Sequence, residues 1–74
     1  MNALLNRIGE ALYGDRWQTQ MSEALDVSDR TIRRWVAGDV KIPRGVWNDL
    51  FVRLDVRRDN VAHLMDRVRE EIDK

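Results

Sequence analysis

Residues 21–43 read MSEALDVSDRTIRRWVAGDVKIP, and this stretch decides the fold. Its apolar residues recur at helical spacing with a break near Asp26, which predicts two helices joined by a tight turn. Asp26 suits the turn because Asp tolerates left-handed backbone angles better than most residues do. Ser28 is a favourable N-cap for the second helix, from about 29 to 37, and Gly38 is a suitable stop for it.

Helical spacing continues over the rest of the chain, and no strand pattern interrupts it. Asp15, with Gln18 three residues later, forms a capping-box pattern that predicts a helix start near Arg16. Pro43 suits the first turn of a later helix, and Asp59 suits the cap of a last one. The predicted helices are five: about 2–13, 16–26, 29–37, one from Pro43 through Leu54, and 59–73. The sequence therefore predicts an all-α, compact five-helix domain over residues 1–74.

Each predicted helix has an apolar face for the core. On the first helix this face comprises Leu4, Leu5, Ile8, Ala11 and Leu12, and on the fourth it comprises Val46, Trp47, Leu50, Phe51 and Leu54. The short third helix and the turn before it have few inward residues, namely Val27, Ile32 and Trp35. Trp35 and Trp47 lie at apolar positions, so we expect them to be core residues rather than platforms for base stacking.

Length and composition exclude several classes of protein. A chain of 74 residues forms one domain with a modest core, which leaves no room for a deep substrate cavity. It has no cysteine, no metal-ligand spacing and no phosphate-binding loop, so we expect no enzyme, cofactor, metal site or small-molecule ligand. The N-terminus lacks a signal-peptide pattern, and no apolar run approaches the roughly 18 residues of a membrane span. We therefore expect a soluble protein of the bacterial cytoplasm or nucleoid.

The basic residues are concentrated in the middle of the chain. The formal net charge is zero, with 13 basic and 13 acidic residues. Residues 27–44 nevertheless carry five basic and two acidic residues, a net charge of +3. Residues 1–26 carry −2, from two basic and four acidic residues, and residues 55–74 carry −1, from five and six. A DNA backbone would respond to this local basic patch rather than to the total charge.

The spacing of particular residues in the two-helix stretch resembles the Cro and lambda-repressor-like helix-turn-helix family. That family's pattern is Leu-Ala, three residues, Gly-Val-Ser, then Ile, two residues, Trp, and a Gly two or three later. Here these slots hold Met21-Ser22, Asp26-Val27-Ser28, Ile32, Trp35 and Gly38. Ser22 replaces the preferred alanine and Asp26 the preferred glycine. The resemblance covers about residues 2–56 and implies a helix-turn-helix at about 16–37. The segment LDVSDRTIRRW is also similar, more narrowly, to small anti-CRISPR-associated autorepressors.

The resemblance implies DNA-binding roles for particular side chains. The candidates for base contact are Ser28, Asp29, Arg30, Arg33 and Arg34, and those for backbone contact are Gln18, Thr19, Lys41 and Arg44. Arg30 and Arg33 are the expected base readers, whereas Arg34 reads a base or clamps a phosphate. Asp29 either accepts a hydrogen bond from a cytosine amine or aligns Arg33 one turn along.

The last predicted helix, about 59–73, has one apolar face made of Val61, Leu64, Met65, Val68 and Ile72. This face either pairs two copies or completes the core of the monomer. Small specific regulators usually bind as dimers to palindromes whose half-sites lie about one helical turn apart. We therefore expect a homodimer that binds a palindromic double-stranded operator through two copies of the motif.

The leading functional prediction is a dimeric transcriptional repressor or autorepressor of a phage or mobile-element operon. One alternative is an antitoxin-like protein, which would bind a partner protein and its own operator. The helical C-terminal region disfavours this, because antitoxins often carry a disordered or extended tail. The other alternative is a protein-interaction module that has lost DNA binding. The zero net charge favours it, and the arginine cluster opposes it.

Overall fold

The computed structural model describes residues 1–74, which form four α-helices and no strand. The helices are α1 (Ala3–Tyr13), α2 (Trp17–Leu25), α3 (Asp29–Ala37) and α4 (Arg44–Ile72). The all-α prediction is confirmed. The predicted number of helices is wrong, since the expected fourth and fifth helices are one continuous helix of 29 residues.

Asp59 is not a helix cap, because α4 passes through it without a break. Neither glycine nor proline occurs between residues 46 and 72, so no residue there stops the helix. The apolar residues on the two sides of Asp59 are also in register. Val46, Trp47, Leu50 and Leu54 are followed 18 residues later by Leu64, Met65, Val68 and Ile72. Because 18 residues make five turns at 3.6 residues per turn, both sets lie on one face of α4.

The core lies between α1, α2, α3 and the first half of α4. Its buried apolar side chains are Leu5, Leu12, Trp17, Met21, Ile32, Trp35, Ile42 and Leu50. From α4, Val46, Trp47 and Leu54 pack against this core and are partly buried. Phe51 was predicted to be buried, but 70% of its surface is exposed. The reason is geometric, because Phe51 lies about 100° around the helix from Leu50.

α1 and α2 cross at Gly9, where the indole of Trp17 lies directly on the backbone of α1. A Cβ atom on Gly9 would be 2.1 Å from Cδ2 of Trp17, far inside van der Waals contact. The exposed Leu4 and Ala11 show that the predicted apolar face of α1 was too wide. Gly9, which is buried, takes part in the contact instead.

The predicted capping box of Asp15 and Gln18 is wrong. α2 begins at Trp17, and its N-cap is Arg16, whose side chain makes no capping hydrogen bond. The first backbone N–H groups of α2 are left without a side-chain cap.

The second half of α4 projects away from the core. All residues from 56 to 74 are exposed, and the molecule measures 53 × 22 × 20 Å along its principal axes. Residues 1 to about 55 are compact, whereas the sequence predicted a compact domain over all of residues 1–74. None of the four helices combines the length and the apolar character needed to cross a lipid bilayer.

Candidate nucleic-acid interface

The short helix α3 has a buried side and a cationic side. Ile32 and Trp35 are buried in the core, at 0% and 4% exposure. Arg30, Arg33 and Arg34 are all exposed. A helix of nine residues that is fastened by two large apolar side chains holds its remaining side chains in fixed directions. The arginines are therefore presented to solvent by a rigid support.

Both ends of α3 are capped as the sequence predicts. Ser28 is the N-cap, and its Oγ accepts a hydrogen bond from the Thr31 backbone N–H at 3.1 Å. The two hydroxyl groups of these residues also lie 2.9 Å apart. At the other end Gly38 has φ 83°, and its N–H donates to the carbonyl oxygen of Arg34. These caps define where the row of arginines begins and ends.

A turn of three residues, 26–28, joins α2 to α3. Asp26 has φ 55° and ψ 46°, so the predicted left-handed position is confirmed. The N–H of Val27 donates to the carbonyl oxygen of Ser22 at 3.0 Å, and Val27 packs partly buried against the core. The angle between the two helices is thereby fixed by backbone hydrogen bonding and by burial together.

A side-chain hydrogen bond that the sequence did not reveal also joins the two helices. The hydroxyl of Ser22 lies 2.7 Å from Oδ1 of Asp29 and 2.7 Å from the carbonyl oxygen of Thr19. A hydroxyl has one proton, so the two acceptors share it. Ser22 is buried, and its bond turns one carboxylate oxygen of Asp29 towards α2. The sequence offered only a weak signal for this, a polar residue at an inward position of α2.

The cations of the 27–44 segment have no carboxylate partners. None of Arg30, Arg33, Arg34, Lys41 and Arg44 takes part in a salt bridge. All the salt bridges of the molecule lie within α4 and its C-terminal end, between residues 49 and 74. No ion pair within the chain therefore neutralises these five side chains.

The side chains predicted to contact a DNA backbone lie outside α3. Gln18 and Thr19 lie in the first turn of α2, where uncapped N–H groups and the helix dipole favour a negatively charged group. Lys41 and Arg44 are exposed on either side of the buried Ile42, which anchors the loop between α3 and α4. Sequence reasoning missed Ile42 as an anchor.

Arg53 fastens the far end of α2 to α4. Its Nη2 donates to the carbonyl oxygen of Ala24 at 3.1 Å, and its Nε donates to Oδ1 of Asp49 at 3.1 Å. Burial alone would lower the pKa of this guanidinium, but the hydrogen bond and charge of Asp49, together with Tyr13, outweigh it and raise the pKa. Arg53 therefore stays charged and acts as a structural cation, in contrast to the free cations of α3.

The apolar residues predicted to form a dimer interface share one exposed face of α4. Val61, Leu64, Met65, Val68 and Ile72 are between 48% and 74% exposed. These side chains do not pack into the core of the monomer. The alternative prediction, that this face completes the core, is therefore wrong. We call these five residues the distal apolar face.

Comparison of the chain with models of protein families, with curated proteins and with solved structures finds no match. The side chains of His, Cys, Asp and Glu nowhere gather in a group of three or more that could hold a metal ion.

Proposed function

We propose that this chain is a sequence-specific DNA-binding transcriptional regulator in which α2, the turn and α3 act as a helix-turn-helix. The observation that carries the proposal is the set of three exposed arginines on α3 that have no carboxylate partner. Leaving three cations unpaired on one nine-residue helix does not stabilise the fold, because they repel one another. An external polyanion would neutralise them.

Arg30 and Arg33 are the proposed base readers. Arginine donates two parallel hydrogen bonds to O6 and N7 of guanine, and the major groove of B-DNA admits an α-helix. Arg34, close to the end of α3, reads a base or grips a phosphate. Support for this comes from the short length of α3, which limits the contact to its first two turns.

Ser28 and Asp29 begin α3, where a recognition helix meets base edges. One oxygen of Asp29 is bonded to Ser22, and the other can accept from a cytosine amine or align Arg33. The Oγ of Ser28 caps the helix while its hydroxyl faces Thr31, so a contact from Ser28 to DNA would share this oxygen.

Gln18, Thr19, Lys41 and Arg44 are the proposed backbone contacts. Contacts to phosphate fix the register of a protein on the duplex and carry no sequence information. The free N–H groups at the start of α2 support the roles of Gln18 and Thr19.

We further propose that the regulator is a dimeric repressor or autorepressor, of the kind that phage and mobile-element operons use. Two copies paired through the distal apolar face would bind an inverted repeat and occlude a promoter. The exposure of that face in the single chain supports pairing, because a contiguous exposed patch of apolar side chains is typical of a protein–protein interface.

Selection of binding sites from random duplex DNA at near-physiological salt tests the proposal. We expect an inverted repeat to be enriched. Arg33→Ala should lose about 1–3 kcal/mol of binding free energy at one base position. Arg33→Lys should lose much of the same discrimination, since lysine keeps the charge but not the forked geometry. Arg67→Ala is the matched control, because it removes an exposed cation of α4 and should leave selection unchanged. No enrichment by the unaltered protein would refute DNA recognition.

Lys41→Ala should weaken binding to all sequences alike. A residue that neutralises one phosphate contributes about one unit to the dependence of log K on log salt concentration. Affinities of the variant measured at several salt concentrations should therefore give a shallower slope. A change in sequence preference with an unchanged slope would show that Lys41 reads a base instead.

An antitoxin-like protein is the second candidate, and the exposed distal apolar face is the observation that favours it. A partner protein would then cover that face. Sedimentation of the purified chain alone separates the two candidates: a dimeric mass means that a second copy covers the distal apolar face, and a monomeric mass leaves that face for a partner protein.

A further inference from the structure

The distal apolar face points to the same side of α4 as the protein's own core. The residues that seat α4 on the core recur 18 residues later on the distal face, five helical turns away. A molecule that covers the distal apolar face must therefore lie on the same side of α4 as the core. It must also lie next to the end of the core that faces the C-terminal half of α4. This direction restricts how a second copy can approach.

A parallel pair with the two distal faces in contact is sterically blocked. Packed helices lie about 8–10 Å apart. In a parallel pair, the first half of the partner's α4 would then run in front of Trp47 and Leu50, where this copy's own α1 and buried core already lie. An antiparallel pair has no such conflict, since each core lies beyond the C-terminal end of the other copy's helix.

The charges at the two ends of the distal face also favour the antiparallel pair. Residues 57–60 carry Arg57, Arg58 and Asp59, where Arg58 is paired with Asp55 and Asp59 and Arg57 is the unpaired cation, and residues 70–74 carry Glu70, Glu71, Asp73 and Lys74, a net charge of −2. A parallel pair places acidic ends together. An antiparallel pair places each acidic end beside the basic end of the other copy, and it also opposes the two helix dipoles.

We propose that two copies of this chain pair antiparallel through the distal apolar face, with Val61 of each copy opposite Ile72 of the other. The inference rests on the dimer of the proposed function and adds its orientation. In this register Met65 of each copy lies level with Val68 of the other, and Leu64 lies level with Arg69. The two cores then lie at opposite ends of an elongated particle, about 50 Å apart along the helix axis, so this pair requires half-sites farther apart than the one helical turn expected from the sequence.

Because the chain contains no cysteine, single cysteines can report the orientation. Val61→Cys and Ile72→Cys are prepared as separate proteins, mixed under reducing conditions, and oxidised with oxidised glutathione. We expect a mixed disulfide between Cys at 61 and Cys at 72, identified by mass spectrometry, and little disulfide from either protein alone. Antiparallel pairing separates the two copies of residue 61 by about 16 Å along the axis, beyond the roughly 7 Å Cα separation that a disulfide allows.

Each other outcome overturns the orientation. Disulfides in each protein alone, with few mixed ones, would show a parallel pair and leave the proposed dimeric repressor intact. No disulfide at all, with a monomeric mass in sedimentation of the unaltered chain, would remove the dimer as well. DNA selection would still test base recognition independently in both cases. Sedimentation of each variant under reducing conditions shows whether the cysteine itself has disturbed pairing.

Discussion

Gly9 determines how closely the first two helices approach, although it carries no side chain. In most helices a glycine weakens the element, and replacing it by alanine gains about 0.5–1 kcal/mol. Here the added Cβ would lie 2.1 to 2.6 Å from three atoms of the Trp17 ring. Trp17 is buried at 3% exposure, so its ring has little space to move aside.

We therefore predict that Gly9→Ala destabilises the protein. Overpacking of a core costs about 1–3 kcal/mol, which exceeds the gain in helix propensity. Gly45→Ala is the control, because Gly45 lies in the first turn of α4 and a Cβ there would meet no atom within 4 Å. Denaturant unfolding should show a lower midpoint for the first variant and an equal or higher one for the second. Equal midpoints for Gly9→Ala and the unaltered protein would mean that the ring moves aside.

Particular residues show how far sequence reasoning reaches at this scale. Ser28, Asp26 and Gly38 were placed correctly because caps and turns depend on local backbone chemistry. Phe51 was misplaced because apolar character does not tell which side of a helix faces the core when both sides carry apolar residues. The contact of Gly9 with Trp17 joins two elements, and no local pattern encodes it.

Among the elements, α2 is held by two contacts, one apolar and one polar. Its start rests on Trp17, and its end is held by the hydrogen bond from Arg53 to the carbonyl oxygen of Ala24. A helix C-terminus leaves carbonyl oxygens without intrahelical partners, and a cation is a favourable partner for them. Arg53 thus sets the position of α2, and through the turn it supports α3.

Arg53→Met should lower the free energy of unfolding by about 1 kcal/mol. A hydrogen bond from a charged donor contributes about 1.5–3 kcal/mol, which we reduce because the side chain is 36% exposed and partly screened by solvent. The matched control is Arg67→Met, whose exposed pair with Glu70 at 3.8 Å should contribute almost nothing. Chemical denaturation of both variants provides the comparison. If the free energy of unfolding falls equally in both variants, the hydrogen bond from Arg53 to Ala24 does not stabilise the fold.

The sequence predicted the boundaries of α3 closely but divided α4 wrongly at Asp59. Ser28 and Gly38 stop α3 by local chemistry, whereas Asp59 only resembles a cap and lies inside a helix that nothing interrupts. The absence of glycine and proline from residues 46–72 and the 18-residue register were signals for one helix. The exposed arginines of α3 followed from helical spacing, but the bond between Ser22 and Asp29 depends on the packing of α2 on α3.

The molecule as a whole has a compact part and an exposed projection. Residues 56–74 form a helical segment with no tertiary contacts to bury it. Most helical stability in proteins comes from packing of an apolar face, and this segment has no packed face within the single chain. The stability of the projection therefore depends on what covers it.

We predict that helix content falls on dilution. In the proposed dimer, separation of the copies removes the packing of the second half of α4, which then frays. Circular dichroism at 222 nm, followed over a series of protein concentrations, should show the loss. Leu64→Arg should show the lower helix content at every concentration and a monomeric mass in sedimentation. His63→Arg, which adds a cation on the opposite face and outside both charged ends of the helix, should behave like the unaltered protein. Concentration-independent helicity in a monomeric unaltered protein would show that the projection is stable alone.

The projection also governs where a protease can first cut the chain. Proteolysis requires a locally unfolded segment, and the exposed end of α4 has the fewest contacts to prevent opening. Pairing would protect that segment from local unfolding, and so from cleavage, in both copies at once. Newly made chains would then be short-lived until they meet a second copy, and the lifetime of the protein would rise with its own abundance.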